Sequence, residues 1–173
     1  MDPVIVIRPY EAADGAFIAS LADEAFREYT SRAVAHTLDL VRRFTTLVAL
    51  EQSYPRTERA WLEPNLSRQA GTPTRVRRVG FVAIGGEPGE EVAQLHAIAV
   101  IDRERGRGVG RRLMLAFERL AATRRAQRLE LCTADSNLAA LDLFYKCGFR
   151  LLRRRERFYE RGQDACILIK DLK

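Results

Sequence analysis

The residues best suited to chemistry lie in Arg105-Gly106-Arg107-Gly108-Val109-Gly110-Arg111, which joins a β-branched run ending at Val100-Ile101 to an amphipathic stretch beginning at Gly108. Glycines at alternate positions let backbone N–H groups converge on one anion without Cβ obstruction. The unpaired N–H groups of the first helical turn add donors, and the helix dipole favours negative charge there. A pyrophosphate is the natural guest. A plain turn with solvated arginines needs fewer glycines. Two other phosphate loops are excluded: no G-x-x-x-x-G-K-[ST] occurs, and Arg111 stands where G-x-G-x-x-G requires its last glycine.

The elements that must position this loop follow from periodicity. Val4–Arg8 predicts a first strand, and Phe17, Leu21, Ala25 and Phe26 carry a helix after Asp14. A second helix is predicted over Ala33–Arg43 and a strand over Thr45–Leu50. Residues 53–74, with Pro55, Pro64, Gly71 and Pro73, are predicted to be an irregular insertion in which Trp61 acts as a packing anchor or substrate lid. Val79–Ile84 and Val92–Ile101 predict two strands around the turn Gly85-Gly86-Glu87-Pro88-Gly89. Gly108–Arg125 predicts a helix with Val109, Leu113, Ala116, Phe117 and Leu120 on its apolar face. A strand at Leu129–Thr133, a helix at Asn137–Cys147 and closing strands at Phe149–Leu152 and Ala165–Ile169 complete an α/β chain.

The 173 residues predict one domain spanning 1–173. Hydrophobic residues at 47% and charged residues at 30% exclude a disordered or collagen-like chain. Cys132, Cys147 and Cys166 are odd in number and form no C-x-x-C, so no metal site or disulfide framework is expected. The start lacks the pattern of a signal peptide, and no window holds 18 consecutive apolar residues, which together predict a cytoplasmic protein without membrane association. The net charge of +6 raises a polyanionic partner, yet nucleic acid is disfavoured against a solvated basic surface.

Arg105-x-x-Gly108-x-Gly110 resembles the Q/R-x-x-G-x-G/A loop of the GCN5-related N-acetyltransferase (GNAT) family, and the preceding Leu95–Val100 is similar to that family's fourth strand. Asn137-x-x-Ala140-x-x-x-Phe144-Tyr145-Lys146-Cys147-Gly148-Phe149 resembles its N-x-x-A-x-x-x-Y-x-x-x-G-F segment, in order and at the expected distance. The match is close over about 78–153. The tail Arg155–Tyr159 through Asp164–Ile167 is similar to the branch that acetylates protein N-termini. The resemblance implies a mixed, mostly antiparallel sheet of six to seven strands flanked by helices and splayed between strands 4 and 5, with acetyl-CoA in the gap. Backbone groups of Ile98, Ala99 and Val100 would pair with pantetheine, and an N–H there would hold the thioester oxygen. Arg105, Gly106, Arg107, Gly108, Val109, Gly110 and Arg111 would take the pyrophosphate. Asn137 would contact the pantetheine arm, and Phe144 belongs with the cofactor-binding residues. The implied reaction is direct attack of a primary amine on the thioester, the amine being a protein N-terminus, a lysine or a small molecule. A homodimer is one assembly that the sequence leaves open. The other readings are a CoA-binding module with weak or no catalysis and an RNA-directed enzyme acting on aminoacyl-tRNA.

Two departures bear on catalysis. Phe144 stands where the family commonly has the tyrosine that protonates the departing thiolate, and Tyr145, one residue on, is the acid expected here, with water as the alternative. Cys132 stands where a common glutamate base would be, which leaves His96 as the leading base; alternation along its strand predicts that His96, Gln94 and Ile98 share a face. His36, on a predicted helix, is a lesser base. Arg150, Arg153, Arg154, Arg155, Arg157 and Arg161 form a basic run read as a solvated strand face, or else as a site for an acidic acceptor, the CoA 3′-phosphate or RNA.

Overall fold

The computed structural model describes residues 3–54 and 73–172. Most of the 53–74 insertion, Trp61 included, lies outside the described residues.

β-branched and apolar runs form seven strands in one sheet: β1 (Val4–Pro9), β2 (Thr45–Ser53), β3 (Arg75–Gly85), β4 (Val92–Val100), β5 (Arg128–Ala134), β6 (Arg150–Arg155) and β7 (Ala165–Asp171). Their spatial order is β1-β2-β3-β4-β5-β7-β6, and only the β4–β5 pair is parallel. Among the described residues four α-helices flank them: α1 (Gly15–Phe26), α2 (Ala33–Arg43), α3 (Val109–Thr123) and α4 (Leu138–Lys146). The predicted mixed, mostly antiparallel sheet is observed. Its edge strand β6 is exposed at every position, the solvated strand face expected of the arginine run, and Arg150 pairs with Asp171 at 3.0 Å. Charge on an edge strand blocks unwanted strand pairing.

Each face of the sheet buries its own cluster. Leu113, Met114 and Phe117 of α3 pack on Val79, Val82 and Ile84, while Ile18 and Leu21 of α1 with Leu40 and Val41 of α2 cover Val48, Phe81 and Ala83. Along β4 the two clusters change sides. Ala93 and Leu95 belong to the α3 cluster, Ala97 and Ala99 to the α1–α2 cluster, and Ile98 and Val100 again to the α3 side. The cause is a bulge: Ile84 pairs with Leu95 and Ala83 with Ala97, which leaves His96 as the extra residue. Strict alternation therefore fails here. His96 does not share a face with Ile98.

Asp14 ties β1 and β3 to the start of α1. Its carboxylate is 0% exposed and accepts from Arg8 at 2.7 and 2.9 Å, from Arg78 at 2.6 Å and from the Glu11 N–H at 2.9 Å. Burial alone would raise its pKa, but these donors hold it well below the usual carboxylate range. The stabilisation is thus complete above about pH 4 and is lost as pH falls through the depressed folded value. Both arginines are partly solvated, so Asp14→Ala should cost about 2–3 kcal/mol, or roughly 5–10 °C of Tm. Thermal melts at pH 7 check this, and a shift below 2 °C would remove Asp14 from the structural role.

Candidate functional site

The parallel pairing of β4 with β5 runs only from Val92–Arg128 to Leu95–Leu131. Beyond it, Ala97–Val100 pair with β3 alone, and Cys132–Ala134 pair with β7 alone. The sheet is splayed there, as expected. Among the described residues no strand neighbours the facing backbone edge of Ile98, Ala99 and Val100, which is a site for an extended ligand to add as one.

At the end of this gap Gly106 and Gly108 have left-handed φ of +73° and +79°, a conformation that only glycine adopts freely. A Cβ on either would meet nothing within 4 Å, so the loop is open at both positions. Gly108 caps α3, and the first N–H to bond back within the helix is that of Arg112, to Gly108 at 3.1 Å. The N–H groups of Val109, Gly110 and Arg111 lack intrahelical acceptors, and the positive end of the α3 dipole lies with them. Gly110 packs against Leu143 of α4.

The arginines around the loop are used differently from one another. Arg105 donates to the Val100 carbonyl at 3.3 Å and pairs with Asp102 at 2.9 Å, bridging the end of β4. Arg107 pairs with the buried Glu104, and Arg77 bridges Glu104, at 3.1 Å, to the buried Glu51 on β2. Arg111 is exposed. This anchoring of the loop by Glu51, Arg77 and Glu104 was missed in the sequence, because charges 26 and 27 residues apart meet only across the β2–β3 pair and the loop that follows β4.

The gap opens into a pocket of ≈ 160 Å³ walled by α1–α2, the ends of β4 and β5, the start of α4 and Tyr159. Asn137, Phe144, Ile98 and His96 all reach it, together with His36, Cys132 and Tyr29. Asn137 accepts from the Ala140 N–H at 3.2 Å and so caps α4, leaving its amide N–H₂ available. Phe144 is 2% exposed and packs near Phe149. Tyr145 is not brought in: one residue beyond Phe144 it turns outward, 48% exposed, and does not line the pocket.

His96 stacks on Phe44 with ring centroids 4.2 Å apart. Its ring fills the space that Gly85 leaves, where a Cβ would collide with Nε2. Burial, and then His36 and Arg43 of α2, lower its pKa from 6.5, so the ring is neutral at pH 7 and able to accept a proton. Tyr159, named in the sequence only as part of the tail and given no role at the site, lies 3.8 Å from Cys132 Sγ. Burial and Cys132 raise its phenol, and burial and Glu28 raise that of Tyr29, so both keep their protons. Burial likewise raises the Cys132 thiol. Among the described residues no group of three or more His, Cys, Asp or Glu is placed to hold a metal, and no helix is long and apolar enough to cross a membrane.

A sheet splayed at its single parallel pair, with a glycine cradle where the gap meets a helix, defines an acyltransferase architecture. The chain belongs to the acetyltransferase (GNAT) family, whose model matches residues 35–149, two-thirds of its length. Solved structures agree across nearly the whole fold. Ard1 from Thermoplasma volcanium aligns with a TM-score of 0.73 at 22% identity, over 98% of each chain. NAA60 of Arabidopsis thaliana, solved with acetyl-CoA, aligns at 0.72 and 16% identity over 98% of this chain and 99% of its own. The ribosomal-protein-S18-alanine N-acetyltransferase of Escherichia coli aligns at 0.64 and 17% identity over 98% and 95%. No curated protein sequence matches at a significant level.

Proposed function

We propose that the protein is an acetyl-CoA-dependent N-acetyltransferase that passes the acetyl group directly to a primary amine. The observation that carries this reading is the unpaired edge of Ile98–Val100 ending beside the left-handed Gly106–Gly108 cradle. One end offers strand-like pairing to pantetheine and the other offers N–H groups to a diphosphate, so the residues present fit the co-substrate. The similar fold of NAA60, solved with acetyl-CoA, supports the same choice. Free thiols at Cys132, Cys147 and Cys166 suit a reducing, cytoplasmic setting.

Acetyl-CoA brings an acetyl group already activated as a thioester. The chain's own part is positional and electrostatic. Residues 105–111 hold the diphosphate through the backbone N–H groups around Gly108 and Val109. An N–H of Ile98–Val100 holds the thioester oxygen as negative charge develops on it. The Asn137 amide N–H₂ orients the pantetheine arm, and Phe144 closes the apolar floor. A neutral His96 takes the proton from the incoming ammonium, which an amine of pKa about 8 to about 10.4 otherwise retains at pH 7.

The proton for the departing thiolate comes from Tyr159 or water in this reading, because Tyr159 lines the pocket in protonated form and Tyr145 faces solvent. Tyr145→Phe should then leave kcat within about threefold, whereas general-acid help is typically worth about 10²-fold or more. A hundredfold loss in steady-state assays would return the acid to Tyr145. Thiol release from acetyl-CoA against a panel of amines tests the whole proposal, and turnover should depend on the amine. A second reading, a CoA-binding module with weak chemistry, draws on Tyr145 lying outside the pocket and on the absence of any carboxylate among the pocket's described lining residues. CoA binding without amine-dependent thiol release would select it.

A further inference from the structure

Four charged side chains close a ring behind the glycine cradle. Glu104, at the end of a 3-10 turn over Asp102–Glu104, divides its two oxygens: Oε1 accepts from Arg77 Nη2 at 3.1 Å and Oε2 from Arg107 Nη1 at 2.5 Å. Glu51 on β2 does the same, with Oε2 accepting from Arg77 Nε at 2.7 Å and Oε1 lying 3.6 Å from Arg107 Nη1. Each oxygen thus faces one guanidinium, and each arginine spans both carboxylates. The two negative and two positive charges cancel, which lets Glu51 and Glu104 stay buried at 5% and 3% exposure. Through this ring β2 and β3 hold the loop on both sides of Gly106.

Arg107 stands between the two left-handed glycines, in the stretch read as the diphosphate cradle. Its guanidinium is committed to the ring, so what it offers an anion is its backbone. Close packing does not fix the loop at the glycines themselves, since a Cβ at Gly106 or Gly108 would meet nothing within 4 Å. Arg105 ties the loop only to the adjoining Val100 and Asp102, whereas the ring reaches across to two other strands. A carboxylate near an anion site weakens binding when it acts through its charge alone. It strengthens binding when it fixes donors that the ligand would otherwise have to order. Here the ring is neutral as a whole, and loss of one member would leave a buried charge without its partner.

We propose that Glu104, with Glu51 behind it, is a positioning residue for the diphosphate: it turns the Arg107 side chain back onto the sheet and sets the loop in its binding shape before the co-substrate arrives. Two buried carboxylates beneath an anion site thereby strengthen anion binding. Arg107 serves as their partner and not as a ligand of the phosphates. This deepens the acetyltransferase reading and rests on it.

The sign of the effect on affinity tests the proposal without requiring turnover. In calorimetric titration with acetyl-CoA, Glu104→Gln, which removes the charge and keeps the shape, should weaken binding about tenfold or more, because a preformed site becomes one that must be ordered. Repulsion alone predicts tighter binding instead. Glu104→Asp keeps the charge and loses the reach; it should also weaken binding about tenfold, and it covers the case in which Glu104→Gln folds poorly. Arg107→Gln should match them, and the double variant Glu104→Gln/Arg107→Gln should bind within about threefold of the weaker single variant, since both break one contact. A guanidinium that gripped the phosphates on its own account would make the two losses multiply. In the free protein the amides of Arg105 and Arg112, bonded to Asp102 at 3.0 Å and Gly108 at 3.1 Å, report the shape of the loop. Their hydrogen exchange should quicken about tenfold in Arg107→Gln, while that of Leu168 in the core of β7 stays within about threefold. Unchanged or tighter binding in both Glu104 variants, multiplied losses in the double variant, or unaltered exchange at Arg105 and Arg112 overturns the positioning role while leaving the acetyltransferase reading intact. Failure of the wild type to bind acetyl-CoA at all defeats both.

Discussion

Gly108→Val is expected to abolish measurable acetyl-CoA binding, by at least about 100-fold, while the protein stays folded. Two effects combine. The left-handed φ of +79° is strained for any residue with a Cβ, by about 1–2 kcal/mol, and most for a β-branched one. A Cβ there meets nothing within 4 Å, so the cost falls on the backbone conformation that aims the N–H groups of the cradle and not on packing. Loss of two charge-assisted hydrogen bonds, at about 1.5–3 kcal/mol each, corresponds to about two or more powers of ten in affinity. The strain alone should lower Tm by roughly 2–8 °C. Gly89→Val supplies the control. Gly89 also has a left-handed φ, +92°, and open space around it, but it lies in the β3–β4 turn and its N–H bonds to Arg124 at the far end of α3. Strain is matched and the cradle is untouched, so calorimetry should show unaltered CoA affinity. Tight binding by Gly108→Val would overturn the assignment of the loop.

That cradle was legible in the sequence because its signal is local: three glycines in one register, a β-branched run before them and an amphipathic helix after. The same holds for the elements, since α2 spans Ala33–Arg43 as its periodicity predicts, and β7 starts at Ala165 as expected. The site's other parts are not local. Along Leu95-His96-Ala97-Ile98-Ala99-Val100, residues that are small or apolar on both faces erase the polar–apolar contrast that would mark a bulge, so the inserted His96 is invisible until Ala83 and Ile84 are seen to pair around it. Glu51, Arg77 and Glu104 each read as an ordinary surface charge, and only the strand pairing buries two of them behind the loop. Tyr159 sits in a polar loop with no periodicity at all, and it becomes a pocket residue only through its contacts with Tyr29 and Cys132. Tyr145, expected from the sequence to be the acid, is instead turned to solvent, because at 100° per residue it points away from the Asn137–Phe144 line.

The bulge sets the terms of the second large effect. By pushing His96 out of the α3-side core, it places a neutral imidazole in the pocket between Phe44, His36 and the open edge of β4. If that imidazole takes the acceptor's proton, kcat/KM should rise with pH through a single limb centred below 6.5, the side to which burial, His36 and Arg43 move the group, and then level off. Without it only the small fraction of amine already deprotonated can react, so the limb below 6.5 should vanish and the rate should instead climb through the acceptor's own pKa. At pH 7, His96→Ala should lose about 10²-fold in kcat, the usual worth of a positioned base. His96→Gln, which leaves a polar side chain over Gly85, should behave as His96→Ala does, separating the loss of a base from the loss of the stack on Phe44. Variants that retain the limb below 6.5 would make His96 a packing residue, whose place in the bulge serves the shape of the pocket and not the movement of a proton.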